Sequence, residues 1–248
     1  MPSYDLSGIS VLLAMPVHRD MPVQTVAALL ETQDLMRARD IPFEAAFQVG
    51  NSLVETARSK LAARFLESGA NRLFWVDSDI AWQASDFLRL LAFSTRLDIV
   101  GGAYPAKKEP ETILLDLDSP DVETNDLGCF QVGGMGLGFC CVSREVIERL
   151  SLSSSAPVLA FPDLPEPIPH LFRCDSIDGK FRGEDMAFFS DARELGYGVW
   201  IDPAVTLGHI GSKTYAADLK SLMMPKGGHG DEQEITNPDG DSRDAKEA

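Results

Sequence analysis

Two carboxylates one residue apart, Asp77-Ser78-Asp79, follow the apolar run Leu73-Phe-Trp-Val76 without a break. Carboxylate oxygens held at a strand end can share one divalent cation while leaving positions for water and phosphate. Such acids also cap helices and decorate turns, but Asp86 remains available for capping nearby, which favours the chemical role. A second pair, Glu184-Asp185, follows Gly183 at a helix start. By spacing alone these acids read as first-turn charges that suit the helix dipole, worth about 0.3–1 kcal/mol each at exposed sites. The sharper reading makes one of them a general base for an attacking hydroxyl.

His209 stands between glycines in Leu207-Gly-His-Ile-Gly211, where small neighbours would let the imidazole reach a manganese-type ion. A lone histidine is more often simply packed or hydrogen-bonded. His18 comes just after Pro16 at the close of an apolar run, while His170 and His229 are assigned no role. Arg58 could reach a nucleotide or diphosphate, or lie on a solvated helix face beside Glu55. Trp82 offers a ring for a sugar or base, or a core side chain.

Residues of this kind need a frame that brings them together. Ile9–Met15 closed by Pro16 predicts a buried first strand. Pro22 opens a helix with Val23, Val26, Ala27, Leu30 and Met36 on its apolar side. Phe43, Ala45, Phe47 and Val49 alternate as a strand, and Leu53, Ala57, Leu61 and Phe65 mark a second helix. The third strand ends at Asp77, Ser85 or Asp86 caps a helix with Phe87, Leu88 and Leu91, and Asp98–Gly102 is a further strand. Strands alternating with helices predict an α/β sandwich with a mainly parallel sheet. In such a sheet, ligands bind beyond the carboxyl ends of the strands.

The second half is less regular. Residues 104–128 and 151–180 read as long functional loops, the latter with five prolines between Pro157 and Pro169. Phe139–Val142 and Val199–Ile201 read as strands, with helices through Val146, Ile147 and Leu150 and through Met186, Phe189, Ala192 and Leu195, the last stopping at Gly196. From Lys226 the chain turns acidic and Gly-rich, so residues 1–225 are expected to form one catalytic domain and 226–248 a disordered tail.

Composition narrows the classes. A net charge of -16 opposes sequence-independent nucleic-acid binding. No apolar run approaches the roughly 18 residues of a membrane span, and no signal-like start is present. Cys129, Cys140, Cys141 and Cys174 lack CxxC spacing, so reduced, mostly buried thiols and a cytoplasmic location are expected.

The order of features resembles the GT-A-fold glycosyltransferases, particularly bacterial enzymes similar to glycosyltransferase family 2. It is carried by the proline-ended first strand, Ala57-Arg58, Asp77-Ser78-Asp79, Gly138-Phe139, Gly183-Glu-Asp-Met-Ala-Phe188 and a late Gly-His, over roughly residues 9–215. The resemblance implies a GT-A-like αβα sandwich, a nucleoside-diphosphate sugar as donor, Mn or Mg bridging its diphosphate, and a glycan, lipid or protein acceptor. It assigns Asp77, Asp79 and His209 to the metal and Asp185 of the Glu184-Asp185 pair to an inverting base. Pro16, His18, Arg58, Asp77, Ser78 and Asp79 fall where members contact the nucleotide. The first strand lacks the family's Tyr-Asn-Glu after its proline, and Gly50-Asn51 stands where many members place a uracil-reading Asp.

Other readings use similar motifs. A sugar-phosphate nucleotidyltransferase shares the layout but would carry a Gly-rich, basic signature after the first strand, where only Arg19 stands. A haloacid-dehalogenase-type phosphohydrolase would carry its Asp-x-Asp near the chain start. A non-catalytic nucleotide-sugar-binding module is the remaining alternative.

Overall fold

The computed structural model describes residues 4–108, 112–113, 115–117, 123–153, 157–211 and 213–216. The first half runs β1 (Val11–Val17), α1 (Val23–Ala38), β2 (Phe43–Val49), α2 (Val54–Glu67), β3 (Arg72–Val76), β4 (Ile80–Ala81), α3 (Ala84–Phe93) and β5 (Ile99–Gly101). Next come β6 (Leu115–Asp116), β7 (Phe130–Val132), β8 (Gly134–Met135), β9 (Phe139–Ser143) and α4 (Arg144–Ser151). Two hairpins follow, β10 (Val158–Leu159) with β11 (Ile168–Pro169) and β12 (Asp175–Ile177) with β13 (Lys180–Arg182). The remainder is α5 (Glu184–Glu194), β14 (Val199–Ile201), β15 (Gly208–Ile210) and β16 (Thr214–Ala216).

The main sheet has seven strands in the order β2-β1-β3-β9-β5-β14-β7. β1, β2, β3, β5 and β14 share one direction, while β9 and β7 oppose it. Both faces of β1 are covered, which is why its sequence is continuously apolar rather than alternating. Leu12 and Ala14 join the core containing Leu61 and Phe65 of α2, Val146 of α4 and Phe188 of α5. Val11, Leu13 and Met15 join the core containing Ala28 of α1 and Phe87 of α3. Trp75 and Phe74 of β3 divide in the same way.

Three local expectations are corrected. α1 buries Thr25, Ala28, Thr32 and Met36, while Val23 and Leu30 are exposed. Polar contacts select that face: the Thr25 hydroxyl donates to the Ile80 carbonyl (2.8 Å), and the Trp82 indole donates to Thr32 (2.9 Å). α3 begins after Gln83 without a side-chain cap, so neither Ser85 nor Asp86 occupies the capping position. β2 lies at the sheet edge, which leaves Phe47 and Val49 exposed and Ala46 as its buried residue.

Gly196 ends α5 with φ 93°, a conformation that favours glycine. Cys129, Cys140 and Cys141 are buried and Cys174 exposed, all as free thiols. Among the described residues no helix is long and apolar enough to cross a membrane. The expected tail, 226–248, lies outside the described residues.

Candidate active site

Asp77-Ser78-Asp79 leaves the carboxyl end of β3 and turns back into β4, with the Ile80 amide donating to the Asp77 carbonyl (3.1 Å). The short strand β4 is the device that gathers the distant histidine. β15 pairs with β4 in the register His209↔Ile80, and the Ile210 amide donates to the Asp79 carbonyl (2.7 Å). From the other side, α2 supplies Arg58 and the first turn of α5 supplies Glu184 and Asp185.

These residues converge on one cleft of about 280 Å³. Pro16, His18, Arg58, Asp77, Ser78, Asp79, Glu184, Asp185 and His209 all line it, together with Asn51 and Ser52. Every site residue expected from the sequence is therefore brought to one place. A larger cavity of about 680 Å³, lined by Tyr4, Leu6–Ser10 and Arg39–Pro42, holds none of them. Trp82 is 4% exposed and belongs to the core, so it is not a platform for a sugar or base.

Arg58 is the buried cation of the site. Its Nη2 donates to Asp77 Oδ1 at 2.8 Å, its Nε lies 3.6 Å from Glu184 Oε1, and its carbon centre sits 5.5 Å from the Trp75 ring. The partner Glu55 suggested by helix spacing is replaced by these two acids. Burial alone would disfavour its charge, but Asp77 and Glu184 outweigh that and hold its pKa above the usual value. Among the described residues, Arg58 Nε and Nη1 are buried without a hydrogen-bond partner. Unsatisfied donors of this kind are costly and point to a missing acceptor.

Asp79 is differently surrounded. Lys107 Nζ binds its Oδ2 and His209 Nε2 lies 3.5 Å from its Oδ1. Burial raises its pKa, but the hydrogen bonds from His209 and Lys107 prevail and hold the carboxyl below its ordinary value. The other ring nitrogen of His209, Nδ1, sits 2.8 Å from the Pro105 carbonyl, its acceptor when that nitrogen carries the proton. A proton on Nδ1 would leave Nε2 unprotonated and facing Asp79, able to bind a cation in place of its hydrogen bond to that carboxylate.

Tyr104, Lys107 and Gly138 complete the arrangement, and residue spacing had not marked the first two. Tyr104 is half-buried; its hydroxyl accepts from the Gly138 amide (3.0 Å) and lies 3.5 Å from Asp77 Oδ2. Burial pushes its phenol pKa well up, so it stays a neutral donor. A Cβ on Gly138 would stand 2.6 Å from both Asp77 Oδ2 and the Tyr104 oxygen, so any side chain there would force one of the two to shift. The signal for Tyr104 was its place directly beyond β5, at the same sheet edge as Asp77.

Glu184 and Asp185 have raised pKa values, burial being the principal cause in both. Asp185 accepts a hydrogen bond from the Met186 amide (2.9 Å). Asp185 and His209 also line an adjoining cavity of about 610 Å³ with Ala103, Ala106, Ile113, Leu115 and Met186. The two spaces thus meet at a carboxylate whose affinity for a proton is enhanced.

Asp79 and His209 fit as part of a divalent-cation site, whereas Asp77 is engaged by Arg58. Among the described residues no group of three or more His, Cys, Asp or Glu side chains is arranged to hold a metal. An ion on Asp79 and His209 would need phosphate oxygens and water to complete its shell.

No protein-family model and no curated protein matches the chain. Among solved structures, A197 from STIV is similar at 20% identity, covering 86% of this chain and 91% of that one with a TM-score of 0.55. GalNAc-T7, crystallised with UDP, GalNAc and Mn2+, is 12% identical over 84% of this chain and 45% of its own, with a TM-score of 0.49. A glycosyltransferase involved in glycosylation of the major capsid of PBCV-1 is 12% identical, covering 62% and 71%, with a TM-score of 0.32. The A197 likeness, spanning most of both chains, goes with an α/β architecture of the GT-A-like kind.

Proposed function

We propose that the chain is a divalent-cation-dependent glycosyltransferase that moves a sugar from a nucleoside-diphosphate donor to an acceptor hydroxyl. The observation that carries the reading is Arg58: a buried guanidinium on the wall of the cleft, with Nη1 lacking a hydrogen-bond acceptor among the described residues and Nε facing Glu184 only at 3.6 Å. An anionic group such as a diphosphate would satisfy them. The resemblance to family 2 supports the same donor class, and residues 1–225 would then be one catalytic domain. Reduced buried thiols agree with a cytoplasmic setting.

In this mechanism Arg58 binds the donor diphosphate, and Pro16, His18, Asn51 and Ser52 bound the nucleotide side of the cleft. Asp79 and His209 would hold Mn or Mg, which when bound would supply charge stabilisation to the departing diphosphate. Asp185 faces the adjoining cavity, where an acceptor hydroxyl would enter. Its raised pKa suits it to take the hydroxyl proton as the hydroxyl oxygen attacks the anomeric carbon and the sugar–phosphate bond breaks. A single displacement of this kind inverts the anomeric configuration.

A panel of nucleotide sugars incubated with Mn, read as nucleoside-diphosphate release, tests the reading. Asp185→Asn is expected to lower transfer by about 10²–10⁴-fold and leave donor affinity nearly unchanged. Full activity in that variant would remove Asp185 from the mechanism. Tight binding of a nucleoside triphosphate with pyrophosphate release would instead favour nucleotidyl transfer, and binding without turnover a non-catalytic module.

A further inference from the structure

The acids of the Asp77-Ser78-Asp79 turn are each neutralised, but by cations of different permanence. The Arg58–Asp77 pair has side chains 3% and 24% exposed, locked between α2 and β3. The Lys107–Asp79 pair has side chains 35% and 34% exposed. Lysine carries its charge on a flexible, strongly hydrated stem, so leaving Asp79 would cost little burial. Arg58 has no comparable exit.

The segment bearing Lys107 touches both side chains assigned to the ion, and Asp77 beside them. Tyr104 reaches Asp77, the Pro105 carbonyl lies at hydrogen-bonding distance from His209, and Lys107 binds Asp79. Four acids, Asp77, Asp79, Glu184 and Asp185, surround the cleft beside Arg58 and Lys107. A diphosphate would add negative charge to this excess of carboxylates. Lys107 alone would not balance it, whereas a divalent ion would supply one further charge when it replaced the ammonium at Asp79.

We propose that Lys107 is a positioning residue that occupies Asp79 in the empty cleft and is displaced from Asp79 Oδ2 by the divalent ion entering with diphosphate. The inference rests on the glycosyl-transfer reading of the cleft. Lys107 holds the Asp79 carboxylate in place beside His209 and suppresses cation binding in the absence of donor. The freed ammonium remains on the wall of the adjoining cavity, where Lys107 already lies. Metal and donor would therefore load together.

The test is Mn titration of the full chain followed by electron paramagnetic resonance of free Mn, without nucleotide and with UDP, GDP, ADP or CDP. Lys107→Met is expected to bind Mn at least roughly tenfold more tightly than wild type without nucleotide, with a smaller change when nucleotide is present. Lys107→Arg, retaining the charge, is expected to behave as wild type, and circular dichroism confirms folding. Equal nucleotide-free affinities in wild type and Lys107→Met, with nucleotide-supported uptake in both, overturn displacement and leave the transfer reading standing. Absence of Mn uptake by either protein with every nucleotide overturns both.

Discussion

The two acid pairs of the cleft are chemically alike and electrostatically opposite. Asp77 and Asp79 are met by Arg58, Lys107 and His209, and Asp79 is held below the ordinary carboxylate range by its hydrogen-bond partners. Glu184 and Asp185 sit a few residues of space away at the start of α5, where burial raises both. Asp79 is prepared to remain ionised beside its cations, and Glu184 and Asp185 to accept a proton. Environments that push carboxylates apart are how a single site divides binding from acid–base work. The difference comes from what surrounds each strand or helix end, since the side chains themselves are nearly the same.

Removing Arg58 should break the comparison most severely, because it is shared by both pairs. Arg58→Met leaves Asp77 and Glu184 without their buried partner, and loss of one member of such a pair costs about 3–5 kcal/mol. A urea denaturation midpoint close to wild type would show that the acids have another countercharge. Donor affinity, measured by calorimetry on whatever fraction remains folded, should fall as well.

Acidification should separate the pairs. The protonation of Asp185 is expected to produce an acid limb in kcat whose midpoint lies above the ordinary aspartate value, because its folded pKa is raised. The stability effects have opposite signs. Asp79, depressed in the fold, contributes stability that is present above its unfolded pKa and lost as pH falls through its lower folded value. Glu184 and Asp185, raised in the fold, oppose folding once ionised, and that opposition is relieved as pH falls through their folded values toward the unfolded ones. A kcat limb at or below the usual aspartate range would dissolve the distinction between the pairs.

The smallest expected effect sharpens the geometry. Gly138→Ala drives a methyl against Asp77 Oδ2 and the Tyr104 oxygen, each 2.6 Å from the ideal Cβ. Overpacking of this kind costs about 1–3 kcal/mol. The displacement should fall on donor binding through Asp77, raising KM more than it lowers kcat. An unchanged KM would place Asp77 outside donor recognition.

Much of this protein was legible residue by residue. The apolar runs of β1 and β3 and the buried Ala57, Leu61, Phe65, Phe189 and Ala192 of α2 and α5 were legible locally, whereas Leu53 is exposed and Ala187 and Phe188 are buried outside the expected face. The placement of Asp77 and Asp79 follows from the rule for ligand positions in parallel sheets. α1 was legible as a helix but not as to its buried face, since Thr25 and Thr32 are drawn inward by hydrogen bonds to Ile80 and Trp82 that sequence spacing does not encode. The ambiguous Arg58 was decided by tertiary contact: Asp77 and Glu184 surround it in place of Glu55.

The sequence by itself determined which groups were available: two acid pairs, Arg58 in an amphipathic helix, and a histidine among glycines. The tertiary structure decided how they are charged and paired. The β4–β15 register delivers His209 to Asp79, and the bend after β5 delivers Tyr104 and Lys107. Local sequence governs backbone preference and amphipathic pattern over a few residues. Ionisation and ligand geometry depend on burial and on charges placed within a few ångströms by contacts that are distant along the chain.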